Sequence, residues 1–235
     1  MFYIDWTYIV LVLPAVILAM WASANVNGTF RKYSTQYSRK GITGAQAARR
    51  VLDANGLYSV QIQHVSGNLT DHYDPRSNVI RLSDNVYNNT STAAIGVACH
   101  EAGHAVQHAV GYVPIKLRNA IVPITNIGSR LSTPLILLGL IFSGGADGGL
   151  YWLVYVGIAC FGLSALFQLV TLPTEFNASS RALKAISSGG LLYDDEMDGA
   201  RKTLRAAALT YVAALTVAVT QLFRLILLFG RRRDD

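Results

Sequence analysis

Two histidines four residues apart stand at His100-Glu101-Ala102-Gly103-His104, with a glutamate next to the first. On an α-helix residues i and i+4 share a face, so both imidazoles can reach one metal ion, and zinc suits such donors. Glu101 lies one step around the helix. From there its carboxylate reaches a water on the ion rather than the ion itself, and can take that water's proton as it attacks a peptide carbonyl. Such a catalytic site needs three protein ligands and one open position. Val97, Ala98, Cys99, Ala102, Gly103, Ala105 and Val106 suit a buried helix, and burying His and Glu without partners is costly.

A third ligand has to be found. His108 extends the stripe, but on a straight helix it lies about 12 Å along the axis from His100. That is too far to share an ion bound at about 2 Å, so His108 reads as a helix-end residue or a partner to a ligand. Pro173-Thr174-Glu175 pairs a proline with a capping threonine, predicting a helix that starts here and runs to Gly189-Gly190. Glu175 then sits in a first turn, where the helix dipole alone would favour an acid. It is also the only acid between the metal helix and Asp194 apart from Asp147. Asp194, Asp195, Glu196 and Asp198 remain competitors, although dipole and solvation at the start of a further helix account for them. Ser179, four residues beyond Glu175, shares its face and could orient a ligand. His64 and His72 read first as surface or satisfied histidines, with His72, beside a hairpin turn, a candidate for polarising a substrate carbonyl.

The elements around these residues follow from local patterns. Ser38–Gly56 holds a short amphipathic helix, with Thr43 as N-cap, Ala47, Val51 and Leu52 on one face, and Asn55-Gly56 as its stop. Ser59–Gln63 alternates as a strand, and Leu69–Tyr73 and Val79–Leu82 flank an Asp74–Asn78 turn as a hairpin. Ser83 or Asp84 opens a further helix or turn, and Thr90 or Ser91 caps the metal helix. An edge strand in this segment could hold an unfolded peptide by main-chain pairing, or simply cover the helix.

The chain of 235 residues is 51% hydrophobic and 14% charged, with a mean hydropathy of +0.32. That is too apolar for an ordinary soluble domain. Apolar blocks at Tyr8–Met20, Leu131–Phe142, Leu150–Leu172 and Ala206–Phe229 predict about four spans. The second is short unless it begins near Asn119, which places Arg130 inside it. Ala22-Ser23-Ala24 is similar to a signal-peptide cleavage site, but Met1–Trp6 lacks the basic residues of a leader, so the first block reads as an anchor. The expected organisation is an anchor at 1–26, catalytic segments at 27–118 and 173–205, a membrane hairpin at 119–172, a last span at 206–230 and a tail at 231–235. Val26–Arg118 and Pro173–Arg205 carry fifteen of the twenty Lys and Arg residues and the turn at Ser143–Gly149 has none. The positive-inside rule therefore puts both segments in the cytoplasm of a multi-pass cell-membrane protein. Arg231-Arg232-Arg233 runs against it, unless Asp234 and Asp235 blunt the signal or the last block does not cross fully. The net charge of +6 fits membrane topology and attraction to anionic lipids. No basic stripe with interleaved aromatics points to nucleic acid. Cys99 and Cys160 suggest no disulfide framework.

Leu69–Arg76, His100–His108, Glu175–Ser179 and Ala206–Ala214 together resemble the YugP-like family of membrane zinc metallopeptidases, over nearly the whole chain. The layout is also similar to the HtpX-like proteases: a metal helix, a membrane hairpin, then a ligand motif. The resemblance implies one zinc ion, Glu175 as third ligand, a gluzincin-type site and proteolysis. Ser179 stands where the HtpX-like pattern has Asp. The expectation is thus an integral-membrane, mainly α protein with a small α+β, zincin-like catalytic part, cutting membrane or membrane-adjacent polypeptides. A zinc-binding membrane scaffold is the alternative. A transporter is a third reading, weakened because the ionisable cluster falls outside the blocks.

Overall fold

Long apolar runs have few ways to satisfy their backbone in lipid other than as helices, and the four blocks become four long helices. The computed structural model describes residues 5–143 and 149–230. Most of the Ser143–Gly149 turn, with Asp147, lies outside the described residues, as do Met1–Ile4 and the Arg231–Asp235 tail. After a π-helical turn at Tyr8–Val12 come α1 (Leu13–Tyr33), α2 (Gly44–Ala54), β1 (Gln61–His64), β2 (His72–Asp74), β3 (Val79–Leu82), α3 (Thr92–Ala109), α4 (Val113–Ile141), α5 (Trp152–Ser188) and α6 (Met197–Phe229). The stretch Tyr8–Tyr33 and the helices α4, α5 and α6 are each long and apolar enough to cross a membrane. Only 11–22% of their most apolar windows is buried within the chain, so most of that surface is left for lipid. The second span begins at Val113 and contains Arg130, the longer of the two expected versions.

The chain divides into two compact units, with divisions falling inside α1, α4, α5 and α6. One unit comprises Met1–Trp21, Leu117–Leu172 and Tyr211–Asp235. Within it α4 and α5 meet through small residues. A Cβ on Gly157 would lie 2.8 Å from the Ser132 carbonyl oxygen, and one on Gly139 2.8 Å from the Val154 nitrogen. Close backbone approach of this kind substitutes for hydrophobic drive where the surroundings are themselves apolar. Arg224 of α6 pairs with Asp5 at 2.8 Å, so a charge inside an apolar helix has its counter-ion.

The other unit comprises Ala22–Lys116 and Pro173–Thr210. Thr43 caps α2 in a full capping box with Gln46, and Ala47, Ala48, Val51 and Leu52 are buried. The sheet order is β1-β3-β2. β2 and β3 form the expected antiparallel hairpin, while β1 runs parallel to β3. In the turn, Asp74 accepts hydrogen bonds from the Arg76 N–H at 3.0 Å and the Ser77 hydroxyl at 2.6 Å. Asn78 takes a left-handed φ of 55°, which its side chain tolerates better than most. Val79, Ile80 and Leu82 are buried. Ile80 and Leu82 share one core with Ile95, Ala98, Cys99 and Ala102 of α3, which also takes in Ala182 and Ile186 of α5.

Candidate metal centre

The metal helix starts where a cap permits. The Ser91 side chain accepts from the Ala94 N–H at 3.2 Å, and α3 then runs eighteen residues with most of its side chains buried. Glycines let it sit close to its neighbours. A Cβ on Gly103 would meet the Ala178 carbonyl oxygen of α5 at 2.8 Å, and one on Gly96 would meet Ala200 of α6 at 3.3 Å.

The helix bearing Glu175 does not start at Pro173. α5 is continuous from Trp152 to Ser188 with Pro173 inside it, which corrects the expectation of a helix start and a capping Thr174. Proline forfeits one intrahelical hydrogen bond, but a long apolar run and tight packing carry the helix through. Glu175 is therefore in a helix interior, more than twenty residues from the N-terminus. The dipole of a first turn does not explain this buried acid.

What surrounds Glu175 is the two histidines. His100 Nε2 lies 3.2 Å and His104 Nε2 3.4 Å from Glu175 Oε2, and the two Nε2 atoms are 3.1 Å apart. These three donors form a nearly equilateral triangle. A tetrahedral zinc ion with bonds of about 2.0–2.1 Å holds its ligand atoms about 3.3 Å apart, so the residues present fit that ion. Burial lowers the affinity of His104 for a proton, yet the Glu175 carboxylate and the Glu101 charge outweigh it and raise its pKa. The same field favours a cation.

Each imidazole is held from behind. His100 Nδ1 lies 3.1 Å from the Ser179 hydroxyl and His104 Nδ1 3.0 Å from Gln107 Oε1. Gln107 is fully buried. Its Nε2 donates to the Thr174 carbonyl at 2.8 Å and to Asn177 Oδ1 at 3.0 Å. Both amide hydrogens are thereby used, so Oε1 must be the atom facing His104. His104 then carries its proton on Nδ1 and leaves the Nε2 lone pair facing the other two donors.

Glu101 is buried at 8% exposure. Its carboxylate makes no hydrogen bond among the described residues, although its charge acts on His104 and Asp71. Asp71, partly buried, accepts from the Ser83 N–H at 2.8 Å and the Ser83 hydroxyl at 2.9 Å. Burial pushes its pKa up against those bonds, and Glu101 adds to the rise.

The remaining candidates from the sequence lie elsewhere. His108 ends α3 with its ring edge-on to Tyr73 at 6.1 Å. His64 is exposed and pairs with Asp84 at 2.6 Å. His72, on edge strand β2, is exposed, with Nδ1 2.8 Å from the Thr70 carbonyl and Nε2 3.5 Å from Arg81. The acids at the start of α6 are not merely solvated. Glu196 is buried, accepting from the Arg39 N–H at 2.8 Å and the Tyr193 N–H at 3.0 Å, Asp195 pairs with Arg39 and Asp198 with Lys202 at 2.6 Å. Cys99 and Cys160 are both free. Sequence reasoning assigned no role to Gln107, Asn177 or Asp71. Gln107 was within reach of it, being at i+3 from His104 on the metal helix.

Two histidines and a buried glutamate thus bring three donor atoms together where they could hold one metal ion, and Glu101 follows His100 directly in the chain. The chain belongs to the family described as "Putative neutral zinc metallopeptidase", whose profile matches residues 8–230. It is similar to a Bacillus subtilis (strain 168) protein described as "Putative membrane protease YugP", with 46% identity over 228 residues, 97% of this chain and 99% of the relative. No solved structure matches. With the four apolar helices, this makes the chain a mainly helical membrane protein of a zinc metallopeptidase family.

Proposed function

We propose that the protein is a zinc-dependent endopeptidase acting on membrane or membrane-adjacent polypeptides, with His100, His104 and Glu175 holding the metal. The observation that carries the proposal is the triangle of donor atoms 3.1–3.4 Å apart beside an uncommitted Glu101. When bound, zinc supplies Lewis acidity that polarises a carbonyl and acidifies water. Glu101 takes the proton of the attacking water and delivers it to the leaving amine. Ser179 and Gln107 hold the two imidazoles in the orientation and tautomer that ligation needs. β2 is an edge strand packed beside α3, and an extended peptide paired with it would be held through main-chain bonds with little sequence demand.

A metal site kept only for structure would have no use for Glu101, so that residue separates the two readings. In Glu101→Gln, zinc content measured by mass spectrometry should match the wild type, while cleavage of a denatured membrane protein falls about 10²–10⁴-fold. Zinc lost in step with activity, or activity unchanged, would refute the assigned role.

The asymmetric placement of Lys and Arg further supports a cytoplasmic site. Arg76 is exposed in the hairpin turn, so a cysteine in Arg76→Cys should resist an impermeant thiol reagent in intact cells and react after lysis. Labelling before lysis would reverse the topology.

A further inference from the structure

A cavity of about 560 Å³ opens on another face of α3, lined by residues of α2, α3 and the last turns of α5. Its cations are Arg50, Arg181 and Lys184, and no acid lines it among the described residues. Val51, Ala54, Val106, Ala185 and Leu191 complete it with apolar surface.

The placement is regular. Asn177, Arg181, Lys184 and Ser188 follow one another at spacings of four, three and four, which puts them on a single face of α5. Among the described residues Arg181 makes one hydrogen bond, from its Nε to Asn177 Oδ1 at 2.7 Å, leaving the rest of the guanidinium for another acceptor. Arg50 and Lys184 make no hydrogen bond or ion pair among the described residues. Their neighbour Arg49 shows what a structural arginine looks like here, with bonds to Asp53 and to the Leu57 and Val60 carbonyls. Three like charges lining one concavity repel one another, and the fold supplies no counter-ion in the described lining.

We propose that this cavity binds a phosphate group. Three cations exceed what one carboxylate would balance, and guanidinium groups match phosphate oxygens in geometry. The volume and the apolar wall also leave room for more than a bare anion, as a phospholipid headgroup would require. Arg181 lies only nine residues past Leu172, the last residue of the apolar block. Asn177 Oδ1 accepts from both Arg181 and Gln107, so the cavity and the His104 side of the metal centre share one side chain. Phosphate binding here is independent of proteolysis, because it is measured without hydrolysis.

The test uses the full chain purified in detergent. Native mass spectrometry compares retention of phosphatidylglycerol with that of phosphatidylcholine, whose phosphate is balanced by its own ammonium, and calorimetry measures inorganic phosphate. The wild type should prefer phosphatidylglycerol. Arg50→Gln and Lys184→Gln, at exposed positions, should each weaken that binding about tenfold, and Arg181→Gln should do the same. Phosphate binding that competes with the lipid identifies a free anion as sufficient. Lipid preference without measurable phosphate binding identifies the headgroup. Equal retention of the two lipids with no phosphate binding, or wild-type affinity in the folded Arg50→Gln/Lys184→Gln variant, would overturn the proposal.

Discussion

The metal helix and the sheet beside it both carry histidine, and they use it differently. His64 and His72 are exposed and bonded to whatever lies close in the chain or across the sheet: Asp84, the Thr70 carbonyl and Arg81. His100 and His104 are partnered by groups about seventy or more residues away in sequence, on α5, or by a buried glutamine that is itself tied to α5. A histidine bonded within its own loop or sheet is not brought to other donor atoms. One held at Nδ1 from behind, with Nε2 turned towards two other donors, is set for ligation. The contrast extends to the acids. Asp74 is consumed by its own turn, where the Ser77 hydroxyl and then the Arg76 N–H hold its pKa at about 2, whereas Glu101, though buried, has no hydrogen bond among the described residues.

The largest expected effect lies where the two helices meet. Glu175→Ala should lower zinc affinity by more than about a hundredfold, above the usual ceiling for losing an outer partner, and abolish hydrolysis. Zinc titration in detergent, with helix content followed by circular dichroism, checks both. Retention of wild-type zinc affinity would mean that another side chain completes the site. An intermediate effect is expected one layer out. Gln107→Leu takes a buried partner from His104 Nδ1, the Thr174 carbonyl and Asn177. It should cost about 10–100-fold in metal affinity or activity and about 1–3 kcal/mol in stability, read from chelator competition and thermal unfolding. An unaffected variant would reduce Gln107 to packing. The smallest effect belongs to the hairpin. His72→Ala should change zinc content not at all and activity by less than about twofold, because a peptide paired with β2 would be held by the backbone, which the substitution leaves in place. A larger loss of kcat would bring His72 back as a group that touches substrate.

Much of this was legible along the chain because it depends on neighbours a few residues apart. The i, i+4 spacing of His100 and His104, the caps at Thr43 and at Thr90 or Ser91, the Asp74–Asn78 turn and the four apolar blocks are all local signals. Pro173 misled because a proline beside a threonine reads as a start. Only the packing of α5 shows that the helix passes through. Glu196 misled in the opposite direction: four acids in a row of five look solvated, yet one is drawn into bonds with Ser38 and Arg39, more than 150 residues earlier.

The sequence alone therefore determined that this is a membrane protein carrying two histidines and a glutamate at metal-ligand spacing on one helix, because composition and helical periodicity are properties of short windows. Tertiary structure decided that Glu175 sits beside both imidazoles, that Gln107 sets the tautomer of His104, and that Arg50 shares one cavity with Arg181 and Lys184. Those are distances between side chains, most of them far apart in the chain. They arise where Gly103 lets α3 rest against the backbone of Ala178, a contact that no spacing rule contains.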